Sequence, residues 1–126
     1  MKYIGFIKEH NLINEAVPLN DLIKSDLLNH SDLIHKCIEY LNSGVLVFGW
    51  MGYFMDLETN KPIAPDSYYT DGIWIWPAYF SYYLIKYPNY PIDSDFIEYI
   101  LNLKKETVFN IDLDAIETEL SLKLNQ

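Results

Sequence analysis

The groups that could carry out chemistry in this chain are 3 His, 1 Cys and 18 acids. His30 and His35 lie five apart in a stretch with helical periodicity, about 140° around the axis. They do not converge on one ion as an i, i+4 pair does. His10 stands alone in a polar stretch. Cys37 falls within an apolar stripe of Leu33, Ile34, Ile38 and Leu41, where a thiol behaves as a small inert hydrophobe. A Cys–His catalytic pair could draw only on His10. No nucleophile elbow, phosphate loop or dinucleotide-binding glycine pattern occurs. These observations name no catalytic residue, no metal ligand and no cofactor.

The carboxylates remain. Asp93, Asp95, Glu98, Asp112, Asp114, Glu117 and Glu119 stand near the starts or on the outer faces of presumed helices. With Glu106 they make eight acids between Asp93 and Glu119, against Lys104 and Lys105. Their bland role is capping and solvation; the functional alternative is an acidic contact surface for a basic protein. Asp71 is different, because it precedes Gly72 in a turn beside Trp74 and Trp76. It either bonds the turn backbone or serves as a cleft carboxylate that meets a ligand or partner.

The elements that must position these groups centre on Thr70, Asp71, Gly72, Ile73, Trp74, Ile75, Trp76 and Pro77. Asp-Gly marks a turn, and the β-branched and aromatic run 73–76 marks a short strand. Pro77 fits the first turn of a following helix. Phe80, Tyr83, Leu84 and Tyr87 then recur at helical spacing, with Tyr79 and Tyr82 on the opposite, nominally outer face. The run 45–56 is apolar on both faces, as in a central strand covered on both sides. The segment 56–67, with Pro62 and Pro65, reads as an exposed connection, and 3–7 as a possible further strand with a bulge or close approach at Gly5. The expected fold is α+β: a small antiparallel sheet of strands near 45–56 and 68–76, with 3–7 a candidate third. Helices over about 21–42, 78–87, 95–104 and 113–124 pack against it, the first open to a break near His30 where Ser31 and Asp32 offer a second start or a kink. Asp95 with Glu98 and Asp114 with Glu117 have capping-box spacing.

A chain of 126 residues with 50% hydrophobic content reads as one ordered domain, 1–126. One cysteine leaves no internal disulfide. The N-terminus lacks the features of a secretory signal, and no apolar run reaches the ~20 residues of a membrane span. The expected location is the cytoplasm. The net charge is −9, and every basic residue is Lys. Without Arg, and this acidic, the chain is ill suited to bind nucleic acid or an anionic membrane directly. It is suited to meet a basic partner.

The octapeptide Thr70, Asp71, Gly72, x, Trp74, x, Trp76, Pro77, followed by Tyr82-Tyr83 and by the segment Pro91 to Phe96, resembles a family of small bacterial cytosolic proteins with a T-D-G-x-W-x-W-P signature. The resemblance covers about 30 residues, from Thr70 to Ile100. Such proteins look like immunity proteins of polymorphic or contact-dependent toxin systems, which bind and silence one cognate toxin. The resemblance implies a fold signature and no active site.

Two functions of different class follow. The first is an inhibitor of a basic toxin, plausibly a nuclease, that binds through Asp56, Glu58 and Asp66 of the connection, Tyr79 and Tyr82, and the acids Asp93, Asp95, Glu98, Asp112, Asp114 and Glu117. The second is a small-molecule module or enzyme with an aromatic cleft of Trp50, Trp74, Trp76 and Asp71. Self-association through the aromatic face of helix 78–87 is a third possibility.

Overall fold

The computed structural model describes residues 1–103 and 110–125. Lys104, Lys105 and Glu106, and with them the last residue of the helix expected over 95–104, lie outside the described residues. The elements run β1 (Lys2–Tyr3), α1 (Leu19–Lys24), α2 (Ser31–Leu41), β2 (Val45–Met55), β3 (Pro62–Thr70), β4 (Trp74–Pro77), α3 (Phe80–Lys86), α4 (Ser94–Leu101) and α5 (Leu113–Leu124). The fold is α+β, with a four-stranded sheet in the order β1-β4-β3-β2.

The sheet is mixed. β2, β3 and β4 are antiparallel neighbours, whereas β1 pairs parallel to β4, Lys2 opposite Trp74 and Tyr3 opposite Ile75. The strand expected over 3–7 is thus shorter and earlier. Gly5 ends it with φ +79°, in the left-handed region. A Cβ there would stand 2.2 Å from Cγ of Phe80, so the glycine lets the N-terminal chain press onto α3. Gly5→Ala is expected to lower stability by about 2–3 kcal/mol through backbone strain and overpacking. Chemical denaturation would read this as a lower midpoint at unchanged slope.

Three expectations need correction. First, β2 is an edge strand, not a central one. Its apolar run had suggested cover on both sides, but the cover is partial. Second, much of the presumed connection 56–67 is strand β3. Pro62 and Pro65 are tolerated because β4 pairs only with Tyr68, Tyr69 and Thr70. The first part of β3 therefore has a strand neighbour on one side only, and a proline can turn its missing donor outward. Third, the helix expected over 21–42 does restart at Ser31 after a break near His30, but the break is a full connection over 25–30, so these are two helices. Ser25 is extended at the C-cap of α1, and His30 is extended at the N-cap of α2.

The core joins both faces of the sheet. Trp74 packs edge-to-face on Phe96 of α4, and Tyr40 of α2 leans on Trp76. A Cβ on Gly44 would meet the Trp76 ring at 2.3 Å. Gly44 thus makes room for that ring. Pro77 is the last residue of β4, with helix α3 starting only at Phe80. Phe80, Tyr83 and Leu84 are fully buried, as their spacing predicts.

Candidate functional site

Two aspartates organise the two turns of the sheet in the same way. At the β3–β4 turn, Oδ1 of Asp71 accepts the backbone N–H groups of Ile73 and Trp74, each at 2.8 Å. Its Oδ2 accepts the hydroxyls of Tyr40 from α2 and Tyr99 from α4, the latter at 2.7 Å. Thr70 Oγ1 donates to the Trp74 carbonyl and accepts from Gly72 N–H. Gly72 has φ +99°, which only glycine takes freely. Every polar residue of the signature is therefore spent on the turn and on tying two helices to it.

At the β2–β3 turn, Oδ1 of Asp56 accepts from the N–H groups of Glu58 and Thr59, at 2.7 and 3.0 Å. Its Oδ2 accepts the Tyr82 hydroxyl and the Lys86 ammonium, the latter at 2.8 Å. Lys86 also pairs with Glu58 at 2.9 Å, and Glu58 accepts the Tyr87 hydroxyl. Burial alone would raise the Asp56 pKa. Hydrogen bonds from Lys86, Tyr82 and the Glu58 and Thr59 backbone overcome this and hold it well below the usual carboxylate range. Burial opposes the charge on Lys86 too, but Asp56 and Glu58 outweigh it and raise its pKa.

The residues expected at a partner surface thus divide. Asp56, Glu58 and Tyr82 come together, but in an internal clamp; the Asp56 side chain is fully buried. Tyr79 is also buried, which corrects its outward assignment. It caps α3 with helical backbone angles, and its carbonyl accepts the Tyr83 N–H, so it stands one turn before Tyr83 and beside the buried stripe, not opposite it. Its hydroxyl accepts from Ile7 N–H and donates to Asn11 Oδ1. Asp93 and Asp112 are the N-caps of α4 and α5, accepting from Asp95 N–H and Ala115 N–H. The caps lie two residues before the expected capping-box acids. Asp95 and Glu98 border one shallow hollow with Lys2 and Tyr99. Asp112 and Asp114 border another. Glu117 is exposed on α5, while Glu119 accepts the Tyr3 hydroxyl.

The residues expected to form an aromatic cleft do not share one. Trp74 and Trp76 are 3% and 2% exposed, and Asp71 is buried under its tyrosines. Trp76 alone of the four borders the hollow of about 320 Å³ between α2, β3 and α3, with Leu41, Asn42, Ala64, Tyr69 and Ser81. Cys37 is buried, and burial raises its thiol to about 11. His10 contacts the Tyr83 hydroxyl at 2.9 Å, and burial lowers its pKa despite Glu9 and Asp56. Among the described residues, no three His, Cys, Asp or Glu side chains are grouped to hold a metal.

What reasoning from sequence missed is the outer part of β2. Gly49 is opposite Ser67 and Tyr53 opposite Pro65, so Trp50, Met51 and Gly52 bulge against the single residue Asp66. Trp50 is 54%, Met51 100% and Tyr53 67% exposed. No charged residue occurs between Val45 and Met55. Trp50 rests edge-to-face on Phe48 and Tyr68. Asp66 breaks the pattern of the other two aspartates: its Oδ1 is buried and has no hydrogen-bond partner. The Tyr68 hydroxyl approaches this carboxyl, yet burial prevails and raises its pKa. The usable signals were Gly49 and Gly52 inside an uncharged strand, which mark a bulge.

By fold this is a small α+β domain whose uncharged outer strand stands exposed. No family model, curated protein or solved structure matches the chain. No helix among the described residues is long and apolar enough to cross a membrane.

Proposed function

We propose that the protein is an immunity-type inhibitor, acting in the cytoplasm by binding a basic toxin, plausibly a nuclease, and not by catalysis. The observation that carries this reading is the uncharged ridge of Trp50, Met51 and Tyr53 on an edge strand. Edge strands are ordinarily guarded by charge, proline or cover. Exposed aromatic and methionine side chains clustered on a rigid element are what protein interfaces use as anchors. The net charge of −9 complements a basic partner and speeds encounter with it. The exposed acids Asp93, Asp95, Glu98, Asp112, Asp114 and Glu117 contribute to that long-range field.

The test begins with the neighbouring genes: a toxin domain encoded there is purified and titrated against this chain, and the absence of one counts against the reading. A one-to-one complex that abolishes toxicity is expected. Trp50→Ala with Met51→Ala should weaken it by about 2 kcal/mol or more, roughly 30-fold, chiefly through faster dissociation. Raising salt should slow association and leave dissociation nearly unchanged. Full neutralisation by the double variant would sink the assignment of the ridge.

A further inference from the structure

The three aspartates of the β2–β3–β4 region set up a contrast. Asp56 and Asp71 each have both carboxylate oxygens satisfied by backbone N–H groups and tyrosines. Asp66 has a buried oxygen with no partner, and it stands where the ladder opens at the Trp50–Gly52 bulge. Leaving a buried acceptor unmatched is costly, and a fold that clamps two aspartates so fully does not clamp the third. Its neighbours are aromatic: Tyr68 beside it, with Trp50 on Tyr68 at 6.1 Å between centroids. An acid with free acceptor capacity beside an exposed indole suits a cation that also stacks on a ring. Gly52, at φ +108°, has open space where a side chain would be, so no side chain at that position of the bulge covers the strand.

We propose that the β2 bulge receives a basic side chain of the partner protein, an arginine or lysine, which hydrogen-bonds the Asp66 carboxylate and packs on Trp50. This inference deepens the inhibitor reading and rests on it for the identity of the partner. Charge complementarity selects the occupant. A second copy of this chain would bring another Asp66 and a second net charge of −9. The arrangement also makes Asp66 a group that destabilises the free protein. Its folded pKa lies above the unfolded one, so the stability it lends at low pH is lost as pH rises through the folded value. At neutral pH the free protein carries that penalty, and the partner's cation relieves it.

The probe is Nα-acetylarginine methylamide, compared with its citrulline counterpart, which keeps the shape and loses the charge. Amide and indole NMR shifts of the full chain are the readout. Saturable shifts at Trp50, Asp66 and Ser67 are expected with arginine, at least tenfold weaker with citrulline. Asp66→Asn should abolish them while leaving the melting temperature at pH 7 equal or higher. Glu117→Gln, an exposed acid on α5, should leave them intact. Equal binding of citrulline, or equal effects of Asp66→Asn and Glu117→Gln, would overturn the proposal. So would a concentration-dependent dimer lost in Trp50→Ala, which would assign the ridge to a second copy. Toxin neutralised fully by Asp66→Asn removes this inference and leaves the inhibitor reading standing. Arginine binding at Asp66 without any toxin complex keeps the site and removes the inhibitor reading.

Discussion

Asp71→Ala is expected to lower stability by about 3–5 kcal/mol, enough to leave a small domain partly unfolded at 37 °C. The side chain is buried and accepts four hydrogen bonds: two from its own turn, one from α2 and one from α4. Alanine strands the N–H groups of Ile73 and Trp74, the latter at a buried residue out of reach of water. It also releases the Tyr40 and Tyr99 hydroxyls, which stand 3.4 Å apart and can partly satisfy each other. Asn is the informative companion. Its carbonyl keeps the two backbone bonds, and its amide can donate to the two hydroxyl oxygens, so a loss of only about 1–2 kcal/mol is expected. Equilibrium denaturation of the three proteins checks the order. A catalytic or ligand-binding carboxylate would behave otherwise: both substitutions would abolish function and spare stability. Equal, small losses of stability for Ala and Asn would refute the keystone role.

That turn was legible because it is local. Thr70, Asp71 and Gly72 lie within reach of one another along the chain, and their types dictate the turn whatever surrounds them. The tyrosines that finish it were not legible, since Tyr40 and Tyr99 come from helices brought together only by the fold. The same division runs through the rest. The α3 stripe Phe80, Tyr83, Leu84 was visible in its spacing. Tyr79 was misplaced although it stands four residues before Tyr83, a spacing that puts it beside the buried stripe. The run 45–56 revealed a strand, but apolarity on both faces says that burial is favourable, not that cover exists. Which strand lies at an edge is set by pairing order, a property of the whole sheet. Asp66 was singled out only as one acid among many, because an unmatched acceptor is defined by what fails to surround it.

Asp56→Ala should cost about 3–4 kcal/mol, and its consequence for binding should follow from its consequence for shape. The carboxylate fixes the turn that closes the β2–β3 hairpin, and Tyr82 and Lys86 fasten that turn to α3. Beyond Tyr68 this hairpin has no support from β4, so the Trp50–Met55 segment is held by the clamp at its tip together with Phe54, which is buried against His10, Tyr68 and Tyr79. Removing one partner of a buried pair leaves Lys86 with Glu58 alone and two backbone donors unpaired. The pH dependence gives an independent check. The Asp56 pKa is depressed by folding, so its contribution is fully present above the unfolded value near 4 and lost as pH falls through the folded one. The Lys86 pKa is raised, so its contribution is present below the unfolded value near 10 and lost as pH rises through the folded one. The stability gap between wild type and Asp56→Ala should therefore be flat from about pH 5 to 9 and shrink below about pH 4. If Asp56 instead met the partner directly, Asp56→Ala would slow association and leave hydrogen exchange across β2 unchanged. The clamp predicts the reverse: faster exchange at Tyr53–Met55 in the free protein, with weakened binding.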